Sequence, residues 1–272
     1  MENILTQGFD AAQALSYSAF TSRVQPSDGQ HYLDIVEKKR TSALPWRGQF
    51  SPQLIEYLLT KHCKKRGRIL DPFCGSGTVL REAARGGFSA LGTDVNSSAV
   101  CLAKVSELAR IKPELRWSLV ERIREFGRDL QLSSDDRGVI EAGKAADLFF
   151  SSQLDEQEKI ALEGVLLFLF SNGKSVVVSK VAKGIDRYLS VAFDSHSAQC
   201  QTEARVGDAR AVDEADNTFD YLVTSPPYIN VFNYHQNHRP IIEALGHTPL
   251  TAAKAEIGAN RKFRQNRYMT VV

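Results

Sequence analysis

The chain has 272 residues, 43% of them hydrophobic and 24% charged, which excludes a largely disordered chain, a collagen-like fibre and a disulfide-stapled mini-protein. One large domain, or a domain with a sizeable addition, fits that length. Lys+Arg number 34 against Asp+Glu 32, a net charge of +2, so nucleic-acid binding can be argued only from local sites and not from global charge.

Residues 1–45 are weakly patterned and read as an N-terminal extension without an assigned role. Gln25-Pro26-Ser27-Asp28-Gly29-Gln30 has loop composition. Met1 to Asp10 lacks the apolar core of a signal peptide, and no run reaches the roughly 18 apolar residues of a membrane span. Leu54, Ile55, Tyr57, Leu58 and Leu59 then suit a short amphipathic helix, begun by Ser51 as cap and Pro52 in the first turn. Lys61 to Arg68 carries five basic residues in eight; it reads as a solvated connector, with a phosphate-contacting patch as the alternative.

Arg68-Ile69-Leu70 predicts a short buried strand running into Asp71-Pro-Phe-Cys-Gly-Ser-Gly-Thr78. Val79 to Arg85 is helical in composition and stops at Gly86-Gly87. Ala90 to Thr93 is a second strand, ending at Asp94. Strand, glycine loop, helix, strand, acid is the first half of a nucleotide-binding α/β sheet. From Asn96 the pattern turns helical, breaks at Pro113, and resumes around Leu119–Phe126 and Ile160–Phe170. Residues 99–200 therefore read as a mostly helical insertion, too long for a simple crossover. Glu203 to Asp208 and Phe219 to Thr224 predict two further strands, the second followed at once by Ser225-Pro-Pro-Tyr228. Proline stops a strand ladder, so these residues project from the carboxyl edge, where ligands bind in open parallel sheets. Residues 231–272 form a C-terminal segment with a basic end at Arg261, Lys262, Arg264 and Arg267. The core is thus expected in 46–98 and 201–230.

Cys63, Cys74, Cys101 and Cys200 show no C-x-x-C spacing, which argues against a zinc ribbon or a dithiol redox pair. They read as reduced thiols in a cytoplasmic protein, and no metal is expected.

The loop Phe73-Cys74-Gly75-Ser76-Gly77 has two glycines but neither the third glycine of a dinucleotide fingerprint, where Leu80 stands, nor the lysine of a phosphate loop. It fits a nucleoside ligand without a pyrophosphate. Asp94, at the end of the second strand, is placed to take ribose hydroxyls; a helix N-cap is the plainer role for it or Asn96. Asp208 occupies the equivalent edge of the third strand and could accept from an adenine amine. In Ser225-Pro226-Pro227-Tyr228 the prolines stiffen the backbone, presenting the Ser225 hydroxyl and the Pro226 carbonyl as acceptors and Tyr228 as a stacking face. That set suits a planar ring bearing an exocyclic amine, because acceptors on its hydrogens stabilise positive charge developing on nitrogen.

Together these motifs resemble those of the DNA amino-methyltransferases. Asp71-Pro-Phe-Cys-Gly-Ser-Gly-Thr78 is similar to the family's methionine loop, Gly92-Thr-Asp-Val-Asn96 to its ribose-binding segment, Val206-Gly-Asp-Ala-Arg210 to its adenine side and Thr224-Ser-Pro-Pro-Tyr228 to its catalytic motif. Arg47-Gly-Gln-Phe-Ser-Pro52 resembles the segment that packs on the methionine end. The resemblance implies a Rossmann-like α/β sheet and S-adenosyl-L-methionine as cofactor. It implies a cofactor site of Arg47, Phe50, Asp71, Phe73, Cys74, Gly75, Ser76, Gly77, Thr78, Asp94, Asn96, Asp208 and Ala209. It implies that Ser225, Pro226, Pro227 and Tyr228 receive a base flipped out of DNA. Ser at the first of these positions leans toward N4 of cytosine. N6 of adenine, an RNA amine, and a cofactor-binding subunit without activity in a restriction or defence complex are the alternatives. Phe232, Tyr234, His235 and His238 are further candidates for the base pocket. The family sheet resembles one of seven strands, and four are legible here. A split or truncated enzyme is therefore expected, with a second polypeptide supplying strands and target recognition.

Overall fold

Ser51 adopts an extended backbone and Pro52 sets the first turn of α1 (Pro52–His62), which buries Ile55 and Leu59. The computed structural model describes residues 44, 46, 48–171, 173–194, 200–227 and 234–249, all within the unit Arg40–Val272. Lys61 near the end of α1, Lys64, Lys65 and Arg66 after it, and Arg68 at the start of the next strand are exposed, which fits either a solvated connector or a phosphate-contacting patch.

Among the described residues, β1 (Arg68–Asp71), β2 (Ser89–Asp94), β5 (Thr202–Val206) and β6 (Tyr221–Leu222) form one parallel sheet in the order β5-β2-β1-β6. Helix α2 (Thr78–Gly86) joins β1 to β2 and stops at Gly87, which is left-handed. Helix α3 (Ser97–Lys104) follows β2, capped by the Asn96 side chain accepting from the Ser98 N–H. An apolar cluster built from Ile55, Ile69, Leu80, Val100 and Ala204 among others locks α1, α2 and α3 to the strands.

Between β2 and β5 the chain builds a second core. A 3-10 turn (Val105–Arg110) leads to α4 (Arg116–Leu132), α5 (Ala142–Ser151), α6 (Glu156–Leu169) and α7 (Val181–Ala192). Leu102, Ile123, Leu130, Val165, Leu166 and Ile185 meet in its interior, and Ile241 and Ile242 of α8 (Arg239–Ala244) join them. Tyr188 is fully buried there and donates its hydroxyl to the Ala161 carbonyl at 2.9 Å.

Three expectations change in detail. The stretch expected to be mostly helical also holds an antiparallel ladder of β3 (Val139–Glu141) and β4 (Ser175–Val177). Strands of three residues far apart in sequence leave no periodicity to read. The third sheet strand ends at Val206, not Asp208, because the Asp208 carboxylate accepts from the Arg210 N–H and turns the chain. The fourth is two residues long, although Asp220 N–H to Arg68 O and Val223 N–H to Leu70 O extend its bonding. Pro226 and Pro227 have no N–H to continue it. No helix among the described residues is long and apolar enough to cross a membrane.

Candidate active site

Because the four strands are parallel, their carboxyl ends share one rim. Asp71 ends β1 and Asp94 ends β2; Gly207 and Asp208 follow β5, and Thr224 and Ser225 follow β6. Strand order runs outward from β1 in both directions, so the rim opens at a topological switch point. The cleft there encloses about 870 Å³ of atom-free space, part of it open to solvent.

The loop from Pro72 to Gly77 forms its floor. The Cys74 N–H donates to Thr93 O at 3.0 Å and the Gly77 N–H to Cys74 O at 2.8 Å, folding the loop over the end of β2. The Gly75 N–H donates to Asp94 Oδ2 at 3.1 Å and the Asn96 N–H to Asp94 Oδ1 at 2.9 Å. Asp94 is thereby clamped between the glycine loop and the start of α3. Gly75 has φ +50, and a Cβ there would stand 2.9 Å from Trp46 Nε1. The indole thus lies against bare main chain that only glycine supplies.

Gly77 is the N-cap of α2 with φ +79, and a Cβ on it would stand 2.7 Å from the Ala103 Cα. Gly77 therefore lets α2 approach α3 and does not itself line the cleft. Gly77→Ala is expected to lower folding stability by about 2–4 kcal/mol, combining left-handed strain with a backbone clash, as a urea titration would read. Unchanged stability would mean that α3 moves aside without cost.

Thr78 opens α2 and lines the cleft. It is 4% exposed, and its Oγ1 has no hydrogen-bond partner among the described residues. A buried hydroxyl without a partner is costly, and this one stands beside the N–H groups at the start of a helix, which favour an anion. Across the cleft, Ser76 Oγ donates to Gln49 Oε1 at 2.9 Å, holding the segment before α1 over the loop.

Asp71 is 2% exposed. Burial pushes its carboxyl up to about 7, and the nearby Asp94 charge adds to the rise; hydrogen bonds from Thr224 and Phe73 act the other way. The Thr224 hydroxyl donates to Asp71 Oδ1 at 2.7 Å, tying the end of β1 to the Ser225-Pro226-Pro227 segment. Burial, reinforced by Asp94 and Asp71, holds the Cys74 thiol well above its ordinary value, so it is a protonated thiol and not a nucleophile. All four cysteines are free. Asp208 reaches the cleft, but its carboxylate accepts from the Arg210 guanidinium, which draws its pKa down.

Phe50, Asp71, Phe73, Cys74, Gly75, Ser76, Thr78, Asp94, Asn96, Asp208, Ala209, Ser225, Pro226 and Pro227, all singled out in the sequence, line this one cleft. Arg47, Tyr228, Phe232 and the Arg261–Arg267 cluster lie outside the described residues. Tyr234 lines the cleft too, its carbonyl accepting from Asn96 Nδ2 at 3.0 Å. His238 is buried and stacks on Trp46 at 6.2 Å between ring centroids, while His235 is not among the lining residues. Trp46, Gly48, Gln49, Pro72, Val79, Val95 and Gly207 also line the cleft without having been singled out as site residues. Gly48, Gln49, Pro72, Val95 and Gly207 lie inside the motif segments quoted above, and an aromatic directly before the Arg47–Pro52 segment was the available signal for Trp46.

Known proteins give a consistent picture. Residues 10–105 match the model of the DNA methylase family. Over 123 residues, 42% of this chain, the sequence is 31% identical to the type II methyltransferase M.MjaII of Methanocaldococcus jannaschii, and the match covers 22% of that relative. The chain thus spans about a fifth of the length of the curated relative it matches. No solved structure matches. The glycine loop and Asp94 lie inside the residues that match the DNA methylase family model, so this part of the chain is similar to that family.

Proposed function

We propose that the protein transfers a methyl group from S-adenosyl-L-methionine to the exocyclic amine of a base flipped out of DNA, with N4 of cytosine as the first choice. One observation carries the reading: the glycine loop and Ser225-Pro226-Pro227, 150 positions apart in sequence from Gly75 to Ser225, line a single cleft.

The lining chemistry fits the cofactor. Asp94 offers carboxylate oxygens at the ribose position, and Thr78 offers a buried hydroxyl beside the start of α2 for a carboxylate. Asp208 would share its oxygens between Arg210 and an adenine amine. The bound cofactor supplies an electrophilic methyl group on a sulfonium. Ser225 Oγ and the Pro226 carbonyl accept hydrogen bonds from the target amine and stabilise positive charge growing on its nitrogen. Tyr228 stacks on the flipped base and offsets part of the unstacking cost. No residue of the chain forms a covalent bond to the base.

Thr78→Val tests the ligand side. The variant loses only an unpartnered hydroxyl, so its melting temperature should not fall, while affinity for S-adenosyl-L-methionine should drop about tenfold. Unchanged affinity would remove Thr78 from the site.

The outer edge of β6 is bare among the described residues, and Leu222 is 64% exposed. An uncovered edge strand invites pairing. This supports further strands that complete the sheet, whether from the same protein or from a second polypeptide that also reads the target; a restriction-modification or defence system is the setting proposed. Incubating the chain, alone and with any co-purifying partner, with labelled cofactor and DNA, then identifying the labelled nucleoside by mass, tests the reading. N4-methylcytosine supports it in full. N6-methyladenine corrects the base, label in RNA alone overturns the substrate, and full activity from the isolated monomer removes the partner.

A further inference from the structure

We propose that Cys101, Glu163 and His247 form a divalent-metal site, best suited to zinc, which fastens the segment after α8 to the helical layer. The three residues come from α3, α6 and the turn beyond α8, and their ligand atoms all lie within 4.8 Å of one another. Cys101 Sγ stands 3.9 Å from His247 Nε2. Sulfur and nitrogen bound to one tetrahedral zinc are about 3.6 Å apart, so a shift of a few tenths of an ångström brings this pair to coordination distance.

The donor set matches the ion. Thiolate, imidazole and carboxylate are the zinc ligands of proteins, and the two anionic groups neutralise a divalent cation. Without an ion the cluster is poorly matched. Cys101 is 5% exposed, and its thiol hydrogen-bonds Glu163. A bound cation would replace the thiol proton. The cluster borders an open groove also lined by Lys104, Arg110, Arg205, Glu107, Glu156 and Glu203, which leaves a side of the site open to solvent. Lys104, Arg110 and Arg205 weigh against binding and the three glutamates favour it, with Arg110 paired to Glu107 and Arg205 to Glu203, so the cluster's own thiolate and carboxylate must supply the attraction.

The consequence is mechanical. Asn96 Nδ2 already donates to Tyr234 O, and Ser98 Oγ donates to Asn237 O at 3.3 Å. A metal at His247 would close the far end of the same segment onto α3, keeping Tyr234 in the cleft. The ligands are 62 and 84 positions apart, which no short metal motif would reveal. The inference does not depend on the methyltransferase reading.

The test uses the full chain, stripped with EDTA and titrated with zinc alone against a chromophoric chelator. One zinc per chain should bind, with protons released and with affinity falling as pH falls. Cys101→Ser and His247→Ala should each weaken binding by more than about tenfold, while Cys63→Ser leaves it unchanged. Cobalt should give a sulfur-to-metal charge-transfer band in the parent that Cys101→Ser abolishes. Less than one zinc per chain at about 10 μM free zinc, a cobalt spectrum without the thiolate band, or binding retained in both variants would overturn the site. If Cys101→Ser fails to fold, His247→Ala and the cobalt spectrum of the parent decide.

Discussion

Ser225→Ala is expected to lower the rate of methyl transfer about 10²–10³-fold while leaving affinity for S-adenosyl-L-methionine within about threefold of the parent. Ser225 follows β6, on the opposite side of β1 from Asp94 at the end of β2, and the two line the same cleft from different strands. An acceptor that meets the amine only as charge develops contributes to the transition state and little to the bound ground state. Single-turnover rates measured beside cofactor titrations separate the two. Equal loss of both would return Ser225 to the cofactor site, and an unchanged rate would leave the Pro226 carbonyl as the working acceptor.

Asp71→Asn is expected to stabilise the fold at pH 8 by on the order of a few kcal/mol relative to the parent, with the difference shrinking toward pH 4. Burial raises the carboxyl of Asp71 from 3.8 to about 7. In the unfolded chain it ionises near 4, whereas in the folded chain it keeps its proton until about 7. Its contribution is therefore fully present below about pH 4, is lost as pH rises toward 7, and stays lost above that. Asn keeps an oxygen to accept from the Thr224 hydroxyl and the Phe73 N–H, so it removes the charge and not the hydrogen bonds. Urea midpoints between pH 5 and pH 8 give the result. A gap that does not change with pH would mean that the folded protein compensates the ionised carboxylate. The same carboxyl joins the glycine loop to the segment carrying Ser225, so its state bears on how both are held.

Most of the cleft lining was legible in the sequence because each part is a short local pattern. Two glycines force a turn, an acid ends a strand, and two prolines stop a ladder. Asp94 and Asp208 could be placed at one edge because strands of a parallel sheet all end on the same side. The N-cap role weighed for Asn96 is real, and it coexists with a place on the cleft wall. Trp46 and Gln49 were not themselves singled out. Their position depends on where the segment before α1 crosses the loop, and Gly75 lacks a Cβ where the indole lies. Gly77 reads as part of the same glycine motif, yet its reason is the approach of Ala103 from α3, a packing fact.

The residue order alone therefore determined the strand–loop–helix units and the chemistry each presents, because glycine, proline and the alternation of apolar residues act over a few positions. Tertiary structure decided which of those units face one another, how deeply Asp71 is buried, and that Cys101, Glu163 and His247 meet at all. Those outcomes follow from long-range packing of helices and strands, where desolvation and contact depend on neighbours that are distant along the chain.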